Sequence, residues 1–356
     1  MQHRATRGAS PDGWVTFRGD PFSLGVAAGR YGRRAVHAKL LGSTQWQIAT
    51  DKKHDAALAR LLAATKRLHP ALLEELRGLA EGLELPFREV FAWNCRGDLL
   101  ASTDDGCTTV QLPGAPACLA HNEDGLPEFD GDMFLARLIP DREPALMACC
   151  YPGSLPGHTF ALTRHGIVQT VNNLRLTAVR PEIPRMVLSR ALLGQPTIEA
   201  ALALLREAPA SGGFHFSLAQ PGDTYIHSIE IGAGEISHRA LTRPALHANH
   251  ALHHRWGRNH QIVTPSSCAR QRRGDALLAA GEHDPLTILG DSGDGGLPIL
   301  RREPDDPDDE NTLATAVFHL DAEDVSWQVR FPGRSQAISG TLSGLFGDPG
   351  LGPGSA

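Results

Sequence analysis

The sequence of 356 residues has no long apolar run, since no stretch approaches the roughly 18 residues that indicate a membrane-spanning helix. Residues 1–8 contain no apolar core of signal-peptide length. The six cysteines form no Cys-x-x-Cys pair, and their density is too low for a disulfide framework. These absences predict a cytoplasmic protein that has no membrane partner and keeps its thiols reduced.

Motifs for nucleotide binding are also absent. No Gly-x-Gly-x-x-Gly follows a predicted strand, and there is no phosphate-loop sequence. The 34 basic residues form no long stripe, and 40 acidic residues give a net charge of −6, which argues against nucleic acid as a partner. The acidic cluster at 305–310 is most simply a solvated loop. The sequence therefore predicts no cofactor.

The residues that are present allow a substantial core, because 41% of them are hydrophobic. The length is compatible with two domains or with one large α/β unit. Before residue 107 the apolar residues recur mainly at helical spacing, so that Leu72, Leu76 and Leu79 fall on one face. We expect a strand at 14–20 and then helices at 21–41 with Ser23 as N-cap, at 55–68, from Pro70 to Gly82, and at 86–96.

After residue 107 the apolar residues alternate with a period of two, which is typical of an antiparallel sheet. Helices follow later, one of them capped by Thr197, and a Gly/Pro tail at 347–356 is expected to be disordered. This order favours an α+β fold in which two sheets pack on each other with helices outside. The expected strands are 108–112, 118–122, 134–138, 145–150, 159–162, 167–171 and the hairpins 214–219 with 224–231 and 312–320 with 325–331; the expected helices are 183–193, 198–208 and 267–280.

The segment from Asp104 to Val110 places a thiol directly after an acidic turn that ends in glycine. A thiol nucleophile needs a base, and an α-amine on the same residue, with a pKa of about 7.7 to 8.0, suits that role near neutral pH. An internal cysteine has no such amine. The Gly106–Cys107 bond would first have to be cut, by attack of the thiol on a glycine carbonyl that no side chain obstructs. The alternative interpretation is a buried, unreactive cysteine at the start of a strand.

Several segments in fixed order resemble the acyl-coenzyme A:6-aminopenicillanic acid acyltransferase family, a cysteine group of N-terminal nucleophile (Ntn) hydrolases also classed as peptidase family C45. The resemblance covers most of the chain and implies a four-layer αββα sandwich, self-cleavage and chemistry on amide bonds. Position 125, normally aromatic after the family's Asn-x-Asp element, is glycine here, and the last segment carries two substitutions. The segments are 18–25, 73–83, 106–109, 121–125, 171–174, 247–250 and 297–301.

The resemblance also implies roles for individual residues. Cys107 would supply the nucleophilic thiol and, after cleavage, the amine that takes its proton. Asn249 would donate to the oxyanion of the tetrahedral intermediate. Asp124, 17 positions after the nucleophile (124 − 107), could return on a hairpin and hold the α-ammonium or organise self-cleavage, or it could simply be a turn residue. Glu230 resembles a recurrent family glutamate, without an assigned role.

Four further residues are expected to bind substrate. Thr109 lies two residues after Cys107 and should share its strand face, although it could be an ordinary strand residue. Asn172 and Asn173 could line the pocket or supply a second oxyanion donor, or could be turn residues. Arg301 could bind a substrate carboxylate or pair with a carboxylate of the site.

The resulting prediction is a self-processing amidohydrolase or acyltransferase for a small N-acylated amide or thioester. Residues 1–106 would remain bound as a cleaved fragment to a second segment at 107–346, with a homo-oligomer possible. Two alternatives stay open: an inactive, ligand-binding relative, and a metal hydrolase that uses His247, His250 and His253 on one helical face. A serine hydrolase is not favoured, because Ser154 lacks the Gly-x-Ser-x-Gly spacing.

Overall fold

The computed structural model of the protein describes residues 13–101, 106–180, 182–254, 260–293, 296–302 and 310–347. Strands and helices within these ranges are numbered in chain order. The strands are β1 Trp14–Gly19, β2 Gly106–Leu112, β3 Ala117–Gly125, β4 Phe134–Pro140, β5 Leu146–Cys150, β6 Phe160–Thr163, β7 Val168–Leu174, β8 Gly213–Ala219, β9 Ile226–Gly232, β10 Glu235–Leu241, β11 Ala245–His247, β12 Asn311–Leu320, β13 Val325–Arg330 and β14 Ile338–Thr341.

The helices of the described residues form two groups, one before β2 and one spread through the rest of the chain. In the first group, the helix at 21–35 is followed directly by a short π-helical turn at 36–40. The helices are α1 Pro21–Ala35, α2 Thr44–Thr50, α3 Asp55–Leu68, α4 Pro70–Leu83, α5 Phe87–Asn94, α6 Arg96–Leu99, α7 Arg185–Leu192, α8 Ile198–Glu207, α9 Pro265–Ala279, α10 Pro285–Leu289 and α11 Leu342–Phe346.

The strands form two sheets. The larger has the order β1-β4-β5-β6-β7-β8-β9-β10, and the smaller has the order β11-β2-β3-β12-β13-β14. All pairings in both sheets are antiparallel except the parallel pair of β1 with β4. Because β1 precedes the predicted cleavage point and β4 follows it, the larger sheet contains both parts of the chain.

Apolar side chains pack in three places: between the two sheets and on the outer face of each sheet. Between the sheets, Phe160 of β6 packs edge-on against Phe318 of β12 with ring centroids 6.1 Å apart, and both are fully buried. The outer face of the larger sheet is covered by α1, and the outer face of the smaller sheet is covered by α9 and α10. This is the predicted four-layer αββα sandwich of the α+β class, in which the alternation of each strand supplies one side chain to the centre and the next to a helix layer.

Helices α1 and α4 approach each other closely enough to require glycine. A Cβ on Gly25 would lie 2.0 Å from the carbonyl oxygen of Glu75, and one on Gly78 would lie 2.0 Å from that of Phe22. The glycines that weaken α1 as an isolated helix are therefore needed for its packing. This contact fixes α4 against the helix that covers the larger sheet.

The predicted order of elements is confirmed, with local differences. Ser23 is not the N-cap of α1: Asp20 takes that position and accepts from the Ser23 backbone N–H at 2.7 Å, because Pro21 occupies the first helical turn. Helix α4 continues through Gly82 to Leu83 and ends at Glu84, which has a left-handed backbone conformation. Thr197 caps α8 as predicted. The predicted disordered tail lies outside the described residues from position 348 onward.

Short elements without a clear period were not predicted, namely α2, α6, α10, α11, β10, β11 and β14. In the described part of the chain, no helix combines the length and the apolar character needed to cross a bilayer.

Candidate active site

The β2–β3 hairpin positions the predicted nucleophile. Its register places three pairs of residues opposite each other: Gly106 with Asp124, Cys107 with Glu123, and Thr109 with His121. Val110 contributes to the core on the outer face of the smaller sheet, so by strand alternation Cys107 and Thr109 point into the space between the sheets. The prediction that these two residues share one face is borne out by this geometry.

On the inner face, the thiol of Cys107 contacts a buried acid and its histidine neighbour. Sγ lies 3.7 Å from Oε2 of Glu123, and the same oxygen lies 3.0 Å from Nε2 of His121. Each of these three residues is at most 3% exposed. Burial lowers the pKa of His121 to about 3, so its imidazole is neutral near neutral pH. Neither Glu123 nor His121 was among the predicted site residues.

Thr109 joins this trio to the larger sheet. Its Oγ1 lies 2.9 Å from Nδ1 of His121 and donates to Oδ1 of Asn172 at 2.8 Å. The amide of Asn172 donates in turn to the carbonyl oxygen of His247 at 3.0 Å. The two predicted residues Thr109 and Asn172 therefore do meet in the site, where they connect the two sheets.

The backbone of Cys107 is held from the opposite side. Its N–H donates to Oδ1 of Asn249 at 2.9 Å. Arg270, fully buried on α9, donates to the Cys107 carbonyl oxygen at 2.6 Å and to the same Asn249 oxygen at 2.7 Å. Asn249 Nδ2 donates to the carbonyl oxygen of Asn173 at 3.1 Å. Asn249 thus faces the atom that would become the α-amine after cleavage.

Gly106 lies in a buried cluster of charged groups. A Cβ at this position would lie 2.0 Å from Oε2 of Glu310 and 2.7 Å from Nη1 of Arg301, so a larger residue does not fit. Arg301 forms an ion pair with Glu310, and Arg175 also pairs with Glu310, at 3.0 Å. Burial raises the pKa of Glu310 to about 7, against the lowering effect of the neighbouring arginines.

Asp124 belongs to this charged cluster and is on the opposite strand face from the thiol. Thr312 donates to its Oδ1 at 2.7 Å, and Arg301 Nη1 lies 3.8 Å from its Oδ2. Of the two roles expected for Arg301, the pairing with site carboxylates matches its position. The acid that contacts the thiol is Glu123, one residue earlier on β3.

The neighbouring asparagines of β7, Asn172 and Asn173, also point to opposite faces of their strand. Asn172 points between the sheets, whereas the side chain of its neighbour Asn173 accepts from Arg185 on α7. The backbone carbonyl oxygen of Asn173 accepts from Asn249. A role for the Asn173 side chain as a second oxyanion donor does not fit this geometry, because consecutive strand residues point to opposite faces.

The histidines at 247–254 are not on one helical face. His247 ends β11 and residues 248–254 form no helix, so the premise of the histidine–metal alternative is wrong. His250 hydrogen-bonds Ser267 at 2.8 Å, while His247 contacts Glu230, a buried carboxylate that the sequence interpretation did not place nearby.

Among the described residues, the metal-ligand types that converge are Cys107, His121 and Glu123, whose ligand atoms lie within 4.8 Å of one another. These residue types also bind Zn²⁺. The contact of His121 with Glu123 has the length of a hydrogen bond, and we interpret the trio as an acid–base group. Ser154 is structural, since its hydroxyl accepts from the indole of Trp93 at 3.1 Å.

Glu230 anchors the loop that carries the histidines. Its carboxylate accepts from the backbone N–H groups of Leu252 and His254, each at 2.6 Å, and lies 3.0 Å from Nε2 of His247. Burial alone would raise the pKa of Glu230, but the hydrogen bond and charge of His247 outweigh it and lower the pKa from 4.5 to about 2. The ionised carboxylate is thus the form that the fold stabilises.

This lowered pKa predicts a pH dependence of stability. Because the folded pKa lies below the unfolded one, Glu230 contributes about 3 kcal/mol above pH 4.5, and this contribution is lost as the pH falls towards 2. Glu230→Gln should therefore unfold at a lower temperature than wild type at pH 7, with a gap that narrows on acidification. Thermal unfolding of both proteins across that range measures it, and a gap independent of pH would contradict the assignment.

Some of the residues that sequence reasoning missed carried a signal. Glu123 and His121 stand inside the recognised 121–125 segment, and their alternation with Asn122 and Asp124 already distributes the four residues between two faces. Arg270, Arg175 and Glu310 had no comparable signal, because each comes from a distant element.

The four layers, with a cysteine near the head of a central strand, define the sandwich class of Ntn hydrolases. Comparison of the sequence with protein families gives a match to acyl-coenzyme A:6-aminopenicillanic acid acyl-transferase over residues 112–334. This is more than half of the chain, and the protein belongs to that family, as the resemblance implied. It is therefore an enzyme of the hydrolase and acyltransferase type. The matched region begins after Cys107, at Leu112.

Among curated proteins, the chain is similar to the beta-alanyl-dopamine/carcinine hydrolase of Drosophila melanogaster. The two are 24% identical over 351 residues, which cover 87% of this chain and 90% of the relative.

Proposed function

We propose that the protein is a self-processing cysteine amidohydrolase or acyltransferase that acts on the amide bond of a small N-acylated substrate through an acyl-cysteine intermediate. The observation that carries the proposal is the placement of Cys107: its nitrogen lies 2.9 Å from Oδ1 of Asn249, and its thiol lies between the sheets beside an acid–base pair. A structural cysteine needs neither contact.

The first step is cleavage of the Gly106–Cys107 bond. Glu310 and Arg301 leave no room for a side chain on residue 106, and Asn249 and Arg270 hold the two ends of Cys107. Both residues that share the scissile bond are thereby fixed before any reaction. Such positioning lowers the entropic part of the barrier for attack by a neighbouring thiol.

The second step is turnover. After cleavage, the former amide nitrogen of Cys107 is an α-amine that takes the thiol proton and returns it to the leaving amine. One N–H of Asn249 Nδ2 donates to Asn173, and we assign the other to the oxyanion of the substrate. Arg270 fixes the orientation of the Asn249 amide by donating to its Oδ1.

We propose further that the fragments 1–106 and 107–346 stay associated after cleavage. The first fragment contributes β1, which pairs with β4 over six residues, and α1, which covers the larger sheet. Removing it would expose Val15, Phe17 and Leu24 together with the sheet residues that they cover. The six cysteines are free thiols, which supports the proposal of a reducing, cytoplasmic compartment.

The similarity to a beta-alanyl-dopamine/carcinine hydrolase favours amides of small amines as substrates. The test is incubation with a panel of N-acyl amines, including β-alanyl amides, N-acyl amino acids and β-lactams, followed by mass spectrometry of products and of the protein. We expect turnover of at least one amide and a transient mass increase by the acyl group on the fragment that begins at Cys107. Hydrolysis and transfer are separated by adding a second amine. Ligand binding with neither adduct nor turnover would instead favour the inactive, ligand-binding alternative.

A further inference from the structure

We propose that Glu123, supported by His121, takes the thiol proton of Cys107 during self-cleavage. The proposal rests on the proposed self-processing of the Gly106–Cys107 bond and extends it by naming the base for its first step. Glu123 would be catalytic in this step because it contacts the reacting sulfur, and His121 would be the residue that accepts the proton next.

A separate base is needed because the precursor has no α-amine. Before cleavage the nitrogen of Cys107 is an amide whose lone pair is delocalised, and its N–H donates to Asn249. It cannot take the thiol proton, although it can do so once it becomes an amine. The first and second steps of the proposed function therefore require different bases for one thiol.

Glu123 is placed for this role by the register of the hairpin. It stands directly opposite Cys107 on β3, and its Oε2 lies 3.7 Å from Sγ. His121, two residues earlier and on the same face, lies 3.0 Å from that oxygen. Cys107 Sγ, Glu123 Oε2 and His121 Nε2 thus form a continuous chain of proton donors and acceptors inside the sandwich.

The hydrogen bonds around Asn172 fix where the protons of this chain of donors and acceptors reside. A carbonyl oxygen only accepts, so the atom of Asn172 that faces His247 O must be the amide nitrogen, and Oδ1 must face Thr109. The single hydroxyl proton of Thr109 therefore lies in the 2.8 Å hydrogen bond from its Oγ1 to Asn172 Oδ1. Thr109 Oγ1 can then only accept from His121.

Nδ1 of His121 therefore carries a hydrogen, and in a neutral imidazole Nε2 is the acceptor. The 3.0 Å contact between Nε2 and Glu123 then requires one proton shared between the carboxyl group and the ring. Since burial keeps the pKa of His121 low, that proton rests on Glu123. The resting state is a carboxylic acid that donates to a neutral histidine, beside a neutral thiol.

This arrangement gives a balanced first step. As sulfur attacks the Gly106 carbonyl carbon, its proton passes to Oε2 of Glu123, and the proton already on Oε2 passes to Nε2 of His121. The imidazolium and the negative charge that develops on sulfur and then on the carbonyl oxygen appear together, so no isolated charge is created in the buried site.

The proton then returns along the same chain of donors and acceptors. When the C–N bond of the tetrahedral intermediate breaks, the leaving nitrogen of Cys107 takes a proton from Glu123, and His121 returns its extra proton to Glu123. The product is a thioester between Gly106 and the Cys107 sulfur, with a free α-amine. Water then attacks the thioester carbon, and the C–S bond breaks. One proton of the water ends on the sulfur, and the other ends on the released glycine carboxyl group, which passes it to solvent when it ionises.

The test measures the rate of self-cleavage in a cell-free translation reaction, from the conversion of the full chain into fragments 1–106 and 107–356 on a denaturing gel. Glu123→Gln keeps the size and the neutral resting charge but cannot relay a proton, and we expect cleavage to slow by about 10²-fold or more. Glu123→Asp keeps the carboxyl group but withdraws it from sulfur, and should cleave at least tenfold faster than the glutamine variant. Equal rates for the two variants would overturn the proposal.

Glu75→Gln is the matched control, because Glu75 is equally buried but pairs with Arg190 away from the thiol. It should cleave like wild type. Cleavage of Glu123→Gln at the wild-type rate, or equal slowing in Glu75→Gln, would show that Glu123 does not act as the base. Failure of wild type to cleave would instead contradict the proposed self-processing itself.

A second measurement separates a chemical role from a structural one. Fragment 1–106 is co-expressed with Met followed by residues 107–356, so that removal of the initiator methionine creates the N-terminal cysteine without self-cleavage. In this form the α-amine is available to the thiol, and Glu123→Gln should lose at least tenfold less in turnover than it loses in cleavage rate. Equal losses in both measurements would indicate that the substitution disturbs the site as a whole.

Discussion

Cys107→Ala is expected to leave a single chain of 356 residues, whereas the wild-type protein should give fragments 1–106 and 107–356 when denatured. In the proposed mechanism the thiol is the attacking group in self-cleavage and in turnover, so its removal should eliminate both. We expect turnover to fall on the order of 10⁴-fold or more, the scale seen when an enzyme loses its covalent nucleophile. Intact-mass spectrometry of freshly expressed protein and an assay on one amide substrate measure the two losses.

Cys150→Ala is a suitable control for this experiment. Cys150 is also buried on β5, but it packs on the outer face of the larger sheet, and burial raises the pKa of its thiol. Its replacement removes a sulfur away from the proposed site and should leave cleavage intact. A wild-type chain that stays uncut and differs in mass from Cys107→Ala only by the missing sulfur atom would contradict self-processing. Unchanged turnover in the variant would contradict the cysteine mechanism.

Asn249→Ala is expected to lower kcat by about 10²- to 10³-fold, the usual effect of deleting one oxyanion donor. The chain should still be cleaved, although more slowly than wild type, because sulfur, Gly106 and the acid–base pair remain in place while the Cys107 N–H loses its acceptor. The substitution also removes the acceptor for Cys107 N–H and for Arg270, and part of the loss will come from a less well-positioned amine. The experiment compares each variant on a denaturing gel and in the same substrate assay.

Asp124→Asn gives the informative comparison. Asp124 lies opposite Gly106 and close to Arg301, so neutralising it alters the charge around the scissile bond. We expect both cleavage and turnover to be impaired in this variant, unlike Asn249→Ala. If Asn249→Ala is cleaved and turns over normally, the oxyanion donor lies elsewhere, with Asn172 the next candidate because its amide points between the sheets. A complete failure of Asn249→Ala to be cleaved would contradict the separation of the two steps.

The layered fold was largely predictable from the sequence because its signals are local. Helical spacing before residue 107 and a period of two after it report which side chains each element must bury. Caps and turns such as Thr197 before α8 then mark the ends of elements. Elements too short to show a period, such as α10 and β11, could not be found in this way, although both cover or extend the smaller sheet beside the nucleophile.

The candidate site was predictable only in part, because only some of its residues have a local signal in the sequence. Cys107, Gly106 and Asn249 belong to segments whose order resembles a family, and Thr109 shares the face of Cys107 by simple alternation. The orientation of each neighbour depends on the register of β2 against β3, which no local pattern specifies. That register decides that Glu123, and not Asp124, meets the thiol. The packing of β7 against β2 across the two sheets decides that Asn172, and not Asn173, meets Thr109.

The sequence by itself therefore indicated the longer elements, the candidate nucleophile Cys107 and the family, because periodicity and short motifs are properties of neighbouring residues. Only the tertiary structure decided the charges around the Gly106–Cys107 bond. Arg270 comes from α9, Arg175 directly follows β7, and Glu310 directly precedes β12. Arg175 and Glu310 are 135 residues apart along the chain. They meet because α9 packs on the outer face of the smaller sheet and the chain next to β7 and β12 approaches the start of β2. The buried charges pair with one another there in place of water.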